Sequence, residues 1–278
     1  MKILAGLFLL FAVRLTAAYA ADAEVRTFPA AELTGLSFAA GPGDIAVEGS
    51  TGDVRVEITG HDPEKCFLTI KTEAGQLVLR AEDSASVIAA FKQRAAKPAV
   101  AVSSGAYDVS GCRAGFRASA PPELPLKTQT TSGGIKISTR AGEVGADSES
   151  GEIMVDGISG AFNARTGSGG IFGSVCAPGV YVRTMSGEVA LAGLCGSADA
   201  KAGSGGITLR WADVPVPGEA RVQSVSGDIV LVFPPSAKIA ARLDSGSGEI
   251  INEFDDTGEF QVAAGAGSGD ISVLKAGN

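Results

Sequence analysis

Charged residues recur in this chain at intervals that bring like beside like. Arg165, Arg183 and Lys201 are eighteen residues apart, and Asp228, Glu249 and Asp270 are twenty-one apart. If each interval is one coil of a repeating fold, the first set forms a cationic stripe. Such a stripe could hold an anionic glycan or a phosphate-bearing polymer through charge-assisted hydrogen bonds. The second set would form a carboxylate ladder, unfavourable unless solvated or bridged by a cation, and Ca2+ prefers oxygen ligands. The calcium-binding nonapeptide repeat, however, needs an Asp at a fixed place after its glycines, and the segment GSGGITL from Gly203 lacks it. Solvated acids are the simpler reading.

Other chemistry finds little material. There is one histidine, His61, in the turn-like GHDPE, so a multi-histidine metal site lacks its parts and a Ser-His-acid triad would have to recruit that one residue. No G-x-S-x-G elbow and no G-x-x-x-x-G-K-(S/T) phosphate loop occurs. GPGDIA at Gly41 to Ala46 formally fits a dinucleotide fingerprint, but strand-like alternation follows it rather than a helix. A net charge of −8 argues against nucleic acid as a partner. The four cysteines, Cys66, Cys112, Cys176 and Cys195, show no C-x-x-C spacing and suit two structural disulfides in an oxidising compartment.

These residues need a scaffold, and the scaffold is a repeat. A Ser-Gly-(Gly/Glu/Asp)-(Ile/Val) unit starts at Ser132, Ser150, Ser168, Ser186, Ser204, Ser226, Ser247 and Ser268. Three residues after each Ser stands Ile or Val, from Ile135 to Ile271. Six before stand residues such as Leu126, Val144, Phe162 and Val180. Each unit therefore carries two short period-2 segments joined by a Ser-Gly turn, the pattern of strands. Units this short cannot bury an inward face alone and must stack. An antiparallel sandwich also alternates, but it leaves the coil-to-coil identity unexplained. The expected fold is all-β: a single-stranded parallel β-helix (β-solenoid) of eight coils over residues 126–278.

The aligned units place Cys176 and Cys195 close together on adjacent coils, which leaves Cys66 for Cys112. Four residues after the Ser, Met154, Phe172, Val230 and Ile251 should face outward; with Tyr181 nearby they suit either an apolar patch for a partner or a second subunit, or a surface covered by the capping region or a long turn.

Residues 21–125 differ. GDIAVEG at Gly43 and GDVRVEI at Gly52 look like degenerate units, and Leu68–Glu82 reads as two strands about a glycine turn. Ser86 to Ala96 suits a short helix capped by Ser86. This β-rich region, ending in PPELP at Pro121 to Pro125, should cap the first coil, since an open end would expose unpaired strand edges. The first twenty residues, with Lys2, an apolar run from Ile3 to Val13 and the Ala18-Tyr19-Ala20 site, read as a signal peptide. The run is too short to span a bilayer, and no transmembrane anchor is expected after cleavage.

The recurrent S-G-(D/E/G)-I units, with GDIAV and GDVRV upstream, resemble a family of exported bacterial β-strand-repeat proteins of unknown function, often described as adhesin-like. The resemblance implies a right-handed parallel β-helix in the cell envelope and brings no catalytic residues. The expected protein is a periplasmic or surface-exposed, non-catalytic binding or structural module, without cofactor unless Ca2+ binds. Its partner would be an envelope polysaccharide or another envelope protein. The alternatives are a carbohydrate-active β-helix enzyme (a polysaccharide lyase or hydrolase), or an accessory of an envelope stress-signalling system. The enzyme would require carboxylates converging in a groove.

Overall fold

A computed structural model describes residues 24–83, 112–214, 218–255 and 257–277. The signal segment 1–20 and the helix expected over 86–96 lie outside the described residues. Two sheets, of twelve and eleven strands, face each other across one apolar core. Each Ser-Gly turn carries the chain from one sheet to the other: Val144–Ser148 lies in the eleven-stranded sheet and Ile153–Ile158 in the twelve-stranded one. Units pair in parallel and in register, with Ile153 opposite Ile135 and Ile171, and Val144 opposite Leu126 and Phe162. The sequence period thus becomes a coil period. No α-helix occurs among the described residues.

Side-chain alternation decides the core. Ile135, Ile153, Ile171, Val189, Ile207, Ile229 and Ile271 stack as an inner ladder, each at most 1% exposed. Burying a side chain of this size contributes about 1.5–3 kcal/mol. The turns stack as closely. A Cβ on Gly151, Gly187 or Gly205 would lie 1.8 Å from the carbonyl oxygen of the glycine one coil earlier, so only glycine fits there.

A column that the unit alignment passed over holds these turns. Two residues before the serine stand Thr130, Ser148, Thr166, Thr184 and Ser224, all buried. In the Ser186 turn, the Thr184 hydroxyl accepts the N–H of Gly187 at 2.8 Å and donates to the Gly169 carbonyl at 3.2 Å. The repeated hydroxyl at this position was visible in TTSGG, SESGE, TGSGG and TMSGE. Its mixed Ser/Thr identity hid a column that must be polar because it satisfies buried turn groups.

Both ends depart from chain order. At the N-terminal end, the coil of Gly35–Ala40 and Ile45–Gly49 sits inside the stack, beside the first regular coil. The later coil of Gln76–Asp83 and Gly115–Ala120 lies outside it. Both sheets therefore run through position 125 without a break. Beyond that outer coil both sheets change direction. Val54–Thr59 adds antiparallel to Gly115–Ala120, Glu24–Phe28 adds antiparallel to Val54–Thr59, and Cys66–Glu73 adds antiparallel to Gln76–Asp83. GDIAVEG is thus a true coil strand, whereas GDVRVEI is not a degenerate coil. Its alternation suits either strand direction, and the structure uses it as an antiparallel closing strand.

At the C-terminal end the last repeat turns back. Phe260–Ala266 and Ile271–Lys275 insert between the Ser226 coil and the strands Ile239–Ser245 and Ile250–Asn252. The penultimate repeat is therefore outermost, and Ile250 is 44% exposed where its counterparts are buried. In the core of these coils Trp211 stacks on Phe233, and both meet Phe260 edge-on.

Arg140 is the one buried cation among the described residues. Its guanidinium donates to the Ala120 carbonyl at 3.2 Å and to the Leu124 carbonyl, tying the PPELP segment to the first regular coil. Burial pulls its pKa below the usual guanidinium value, while Glu123 acts in the opposite sense.

Candidate functional site

Three strands of the eleven-stranded sheet present the cationic stripe. Phe162–Thr166, Gly179–Thr184 and Ser197–Ala202 are consecutive neighbours, with Arg165 opposite Arg183 and Arg183 opposite Lys201. The flanking residues Ala164, Val182 and Ala200 point inward and are buried, so alternation drives the three cations outward. Neighbouring strands lie about 4.8 Å apart, so the stripe climbs along the coil axis by one charge per strand. Among the described residues none of the three makes an ion pair.

These cations line a groove of about 720 Å³ that continues past Gln223 and Gly265 to Asp244. Met185 and Val225 form its other side, 73% and 67% exposed, with Gly203 on the coil between them. The sequence alignment missed this apolar side because it lies one residue before the serine, where most coils carry glycine or a polar residue. The groove's lining includes a single carboxylate, Asp244. A second groove, of about 350 Å³, contains two acids, Glu143 and Asp147, along with Lys127 and Arg165.

The acidic ladder is present in a different order. Because the last repeat turns back, Asp270 stands between Asp228 and Glu249, not after them. The ladder also has a structural task. Asp228 Oδ1 accepts the N–H of Asp270 at 2.9 Å, and Asp270 Oδ1 accepts the N–H of Glu249 at 2.8 Å. Asp44 does the same for Gly134 at the other end of the stack. Among the described residues no three His, Cys, Asp or Glu side chains gather as a metal site requires. Asp270→Ala is expected to cost about 1 kcal/mol through the lost acceptor. Asp270→Asn, which keeps an acceptor and removes a like charge, should leave the unfolding midpoint unchanged or slightly higher. Paired urea titrations distinguish the two.

The apolar column is broken up. Met154 and Phe172 are neighbours, but Ala190 and Thr208 separate them from Val230, and Ser272 separates Val230 from Ile251. Phe172 is only half-exposed because its ring lies over Gly170, where an added Cβ would meet it at 2.2 Å. Tyr181 lies in the other sheet, opposite Asn163 and Asp199, because it precedes its Ser-Gly turn while Met154 and Phe172 follow theirs. The contiguous patch with Tyr181 is therefore not formed.

Both cysteine pairs are bonded, Cys66 to Cys112 and Cys176 to Cys195, each with Cα atoms 4.8 Å apart. His61 lies in a turn whose Asp62 accepts the backbone N–H groups of Glu64 and Lys65 and pairs with the Lys65 ammonium at 3.0 Å. That neighbour, with the backbone hydrogen bonds, holds the Asp62 carboxyl below its usual pKa.

Together these features define an all-β repeat protein that displays long, regular faces. The chain belongs to the Toastrack DUF4097 family, whose model matches residues 36–274, and it has the β-solenoid repeat fold. No curated protein matches it. Among solved structures it is similar to a candidate adhesin from Bacteroides fragilis, at 16% identity over 91% of this chain and 96% of the other, with a TM-score of 0.37. It is also similar to a candidate cell adhesion protein from Clostridium sporogenes, at 12% identity over 91% and 98%, with a TM-score of 0.31.

Proposed function

We propose that this protein is an exported, non-catalytic module of the bacterial envelope that holds an anionic glycan along Arg165, Arg183 and Lys201. The observation that carries the reading is the register: three cations on three neighbouring strands, without ion-pair partners among the described residues, line one groove of an acidic protein. An extended chain of pyranose rings advances by close to one strand spacing per ring. A linear acidic polysaccharide can therefore set its charges against successive coils, while Met185 and Val225 offer apolar surface to ring faces. Two disulfides support an oxidising, extracytoplasmic setting. In this reading the coil is right-handed, as the family resemblance implies, and the antiparallel N-terminal strands serve as its cap.

Co-sedimentation with purified envelope polysaccharide at low and moderate salt tests the proposal. The protein is expected to bind in a salt-sensitive manner, and the variant Arg165→Glu/Arg183→Glu/Lys201→Glu to stay in the supernatant. Equal binding by both, or by neither, would remove the stripe from consideration.

A further inference from the structure

The groove along the cationic stripe is not uniform from end to end. One outward column runs Arg165, Arg183, Lys201, Gln223, Gly265 and Asp244 on six neighbouring strands, in register throughout. All six residues line the same groove. Three cations therefore give way to two uncharged positions and then to a carboxylate. At about 4.8 Å per strand, the cations span about 10 Å, and Asp244 stands about 14 Å beyond Lys201.

The turned-back last repeat sets that distance. Stacked in chain order, the Ser247 unit would place Asp244 directly beside Gln223. Insertion of Phe260–Ala266 puts Gly265 between them instead and moves the carboxylate one strand farther from the cations. Gly265 leaves the column without a side chain, and a Cβ there would meet nothing closer than 3.9 Å. The groove floor is thus bare backbone just before the acid. Asp244 is exposed and makes no ion pair among the described residues. Arg242, two residues earlier on the same strand, is not part of the groove lining. Asp147, the acid at the other end of the column, adjoins Arg165 and lines the second groove, not this one.

A uniform polyanion laid along the whole groove would set its last charge against Asp244. We propose that the groove takes an acidic glycan that also bears an amine: three anionic sugars on the cations, two uncharged sugars, and an ammonium group on Asp244. The inference rests on the reading of the stripe as a glycan site and adds the charge pattern and direction of the ligand. An ammonium at Asp244 makes a charge-assisted hydrogen bond. Because that pair is exposed, its effect falls on orientation and selectivity more than on affinity.

Calorimetric titration at low salt tests this with two synthetic ligands, the aminooctyl glycoside of trigalacturonate and its N-acetyl derivative. The octyl spacer spans the stretch opposite Gln223 and Gly265, and the two compounds differ only in the terminal charge. The wild type is expected to bind the amine about twofold to fivefold more tightly, the range of one exposed ion pair. Asp244→Asn should bind both compounds alike. Glu48→Gln, which removes one exposed acid from the other sheet, should keep the wild-type preference. Equal affinities in the wild type would overturn the inference and leave the stripe in place. So would a preference that survives Asp244→Asn, or one lost equally in Glu48→Gln. Binding of neither compound by the wild type would remove the stripe and the inference together.

Discussion

Gly187→Ala is expected to lower stability by at least about 3 kcal/mol, a large loss for one methyl group. The new Cβ would sit 1.8 Å from the Gly169 carbonyl oxygen and 2.4 Å from its carbon. Both are backbone atoms, and they belong to the next turn of the same column, so one turn cannot yield without moving its neighbour. Gly206→Ala is the matched control. That glycine also stands in a Ser-Gly turn, but its nearest neighbour would be 3.6 Å away, and other coils carry Glu or Asp at the same place. Its stability should change by no more than about 0.5 kcal/mol. Denaturant midpoints of the two variants, each measured against the wild type, give the comparison directly.

Removal of the Cys66–Cys112 disulfide is expected to cost about 4 kcal/mol, and removal of Cys176–Cys195 about 3 kcal/mol, from the chain entropy each loop withholds from the unfolded state. Location widens the gap. Cys66 begins the strand that closes the eleven-stranded sheet, and Cys112 lies three residues before Gly115–Ala120 of the twelve-stranded sheet. That bridge ties the closing layers of both sheets at a terminus, where a stacked fold has neighbours on one side only. Cys176 and Cys195 lie mid-stack, where coils on both sides hold the strands in place. Cys66→Ser/Cys112→Ser should therefore unfold at lower denaturant, with early loss of amide protection over residues 54–83. Equal losses for the two double variants would show that position in the stack carries no weight.

Much of this architecture was legible because a short repeat reveals register. The inner ladder from Ile135 to Ile271 follows from alternation around a fixed Ser-Gly turn, and so does the outward alignment of Arg165, Arg183 and Lys201. The pairing of Cys176 with Cys195 followed from the same alignment. What the repeat does not encode is which coil neighbours which. The Ser247 and Ser268 units are similar enough that either could stack on the Ser226 coil, and the long-range choice placed Asp270 ahead of Glu249. Strand direction is hidden for a related reason. GDIAVEG and GDVRVEI alternate alike, and a period of two is the same whether the neighbour runs parallel or antiparallel. Surface composition is harder still. Tyr181 and Phe172 are near in sequence, yet the intervening coil corner sends them to opposite sheets. Met185 and Val225 drew no notice because their column is mostly small or polar. Only the neighbouring cations and the depth of the groove give them a role.

The claim that the stripe itself, and not charge in general, holds an acidic glycan is tested most directly by calorimetric titration with polygalacturonate. Three proteins are compared: the wild type, Arg165→Gln/Arg183→Gln/Lys201→Gln, and Arg55→Gln/Lys136→Gln/Lys238→Gln. The last set removes three exposed cations outside the groove, so the two variants carry the same net charge. With each exposed ion pair contributing up to about 1 kcal/mol, the stripe variant should bind between about tenfold and a hundredfold more weakly than the wild type. The charge-matched variant should bind nearly as the wild type does. Equal weakening of both would mean that the polymer responds to overall charge, and the stripe would lose its claim to be the binding face.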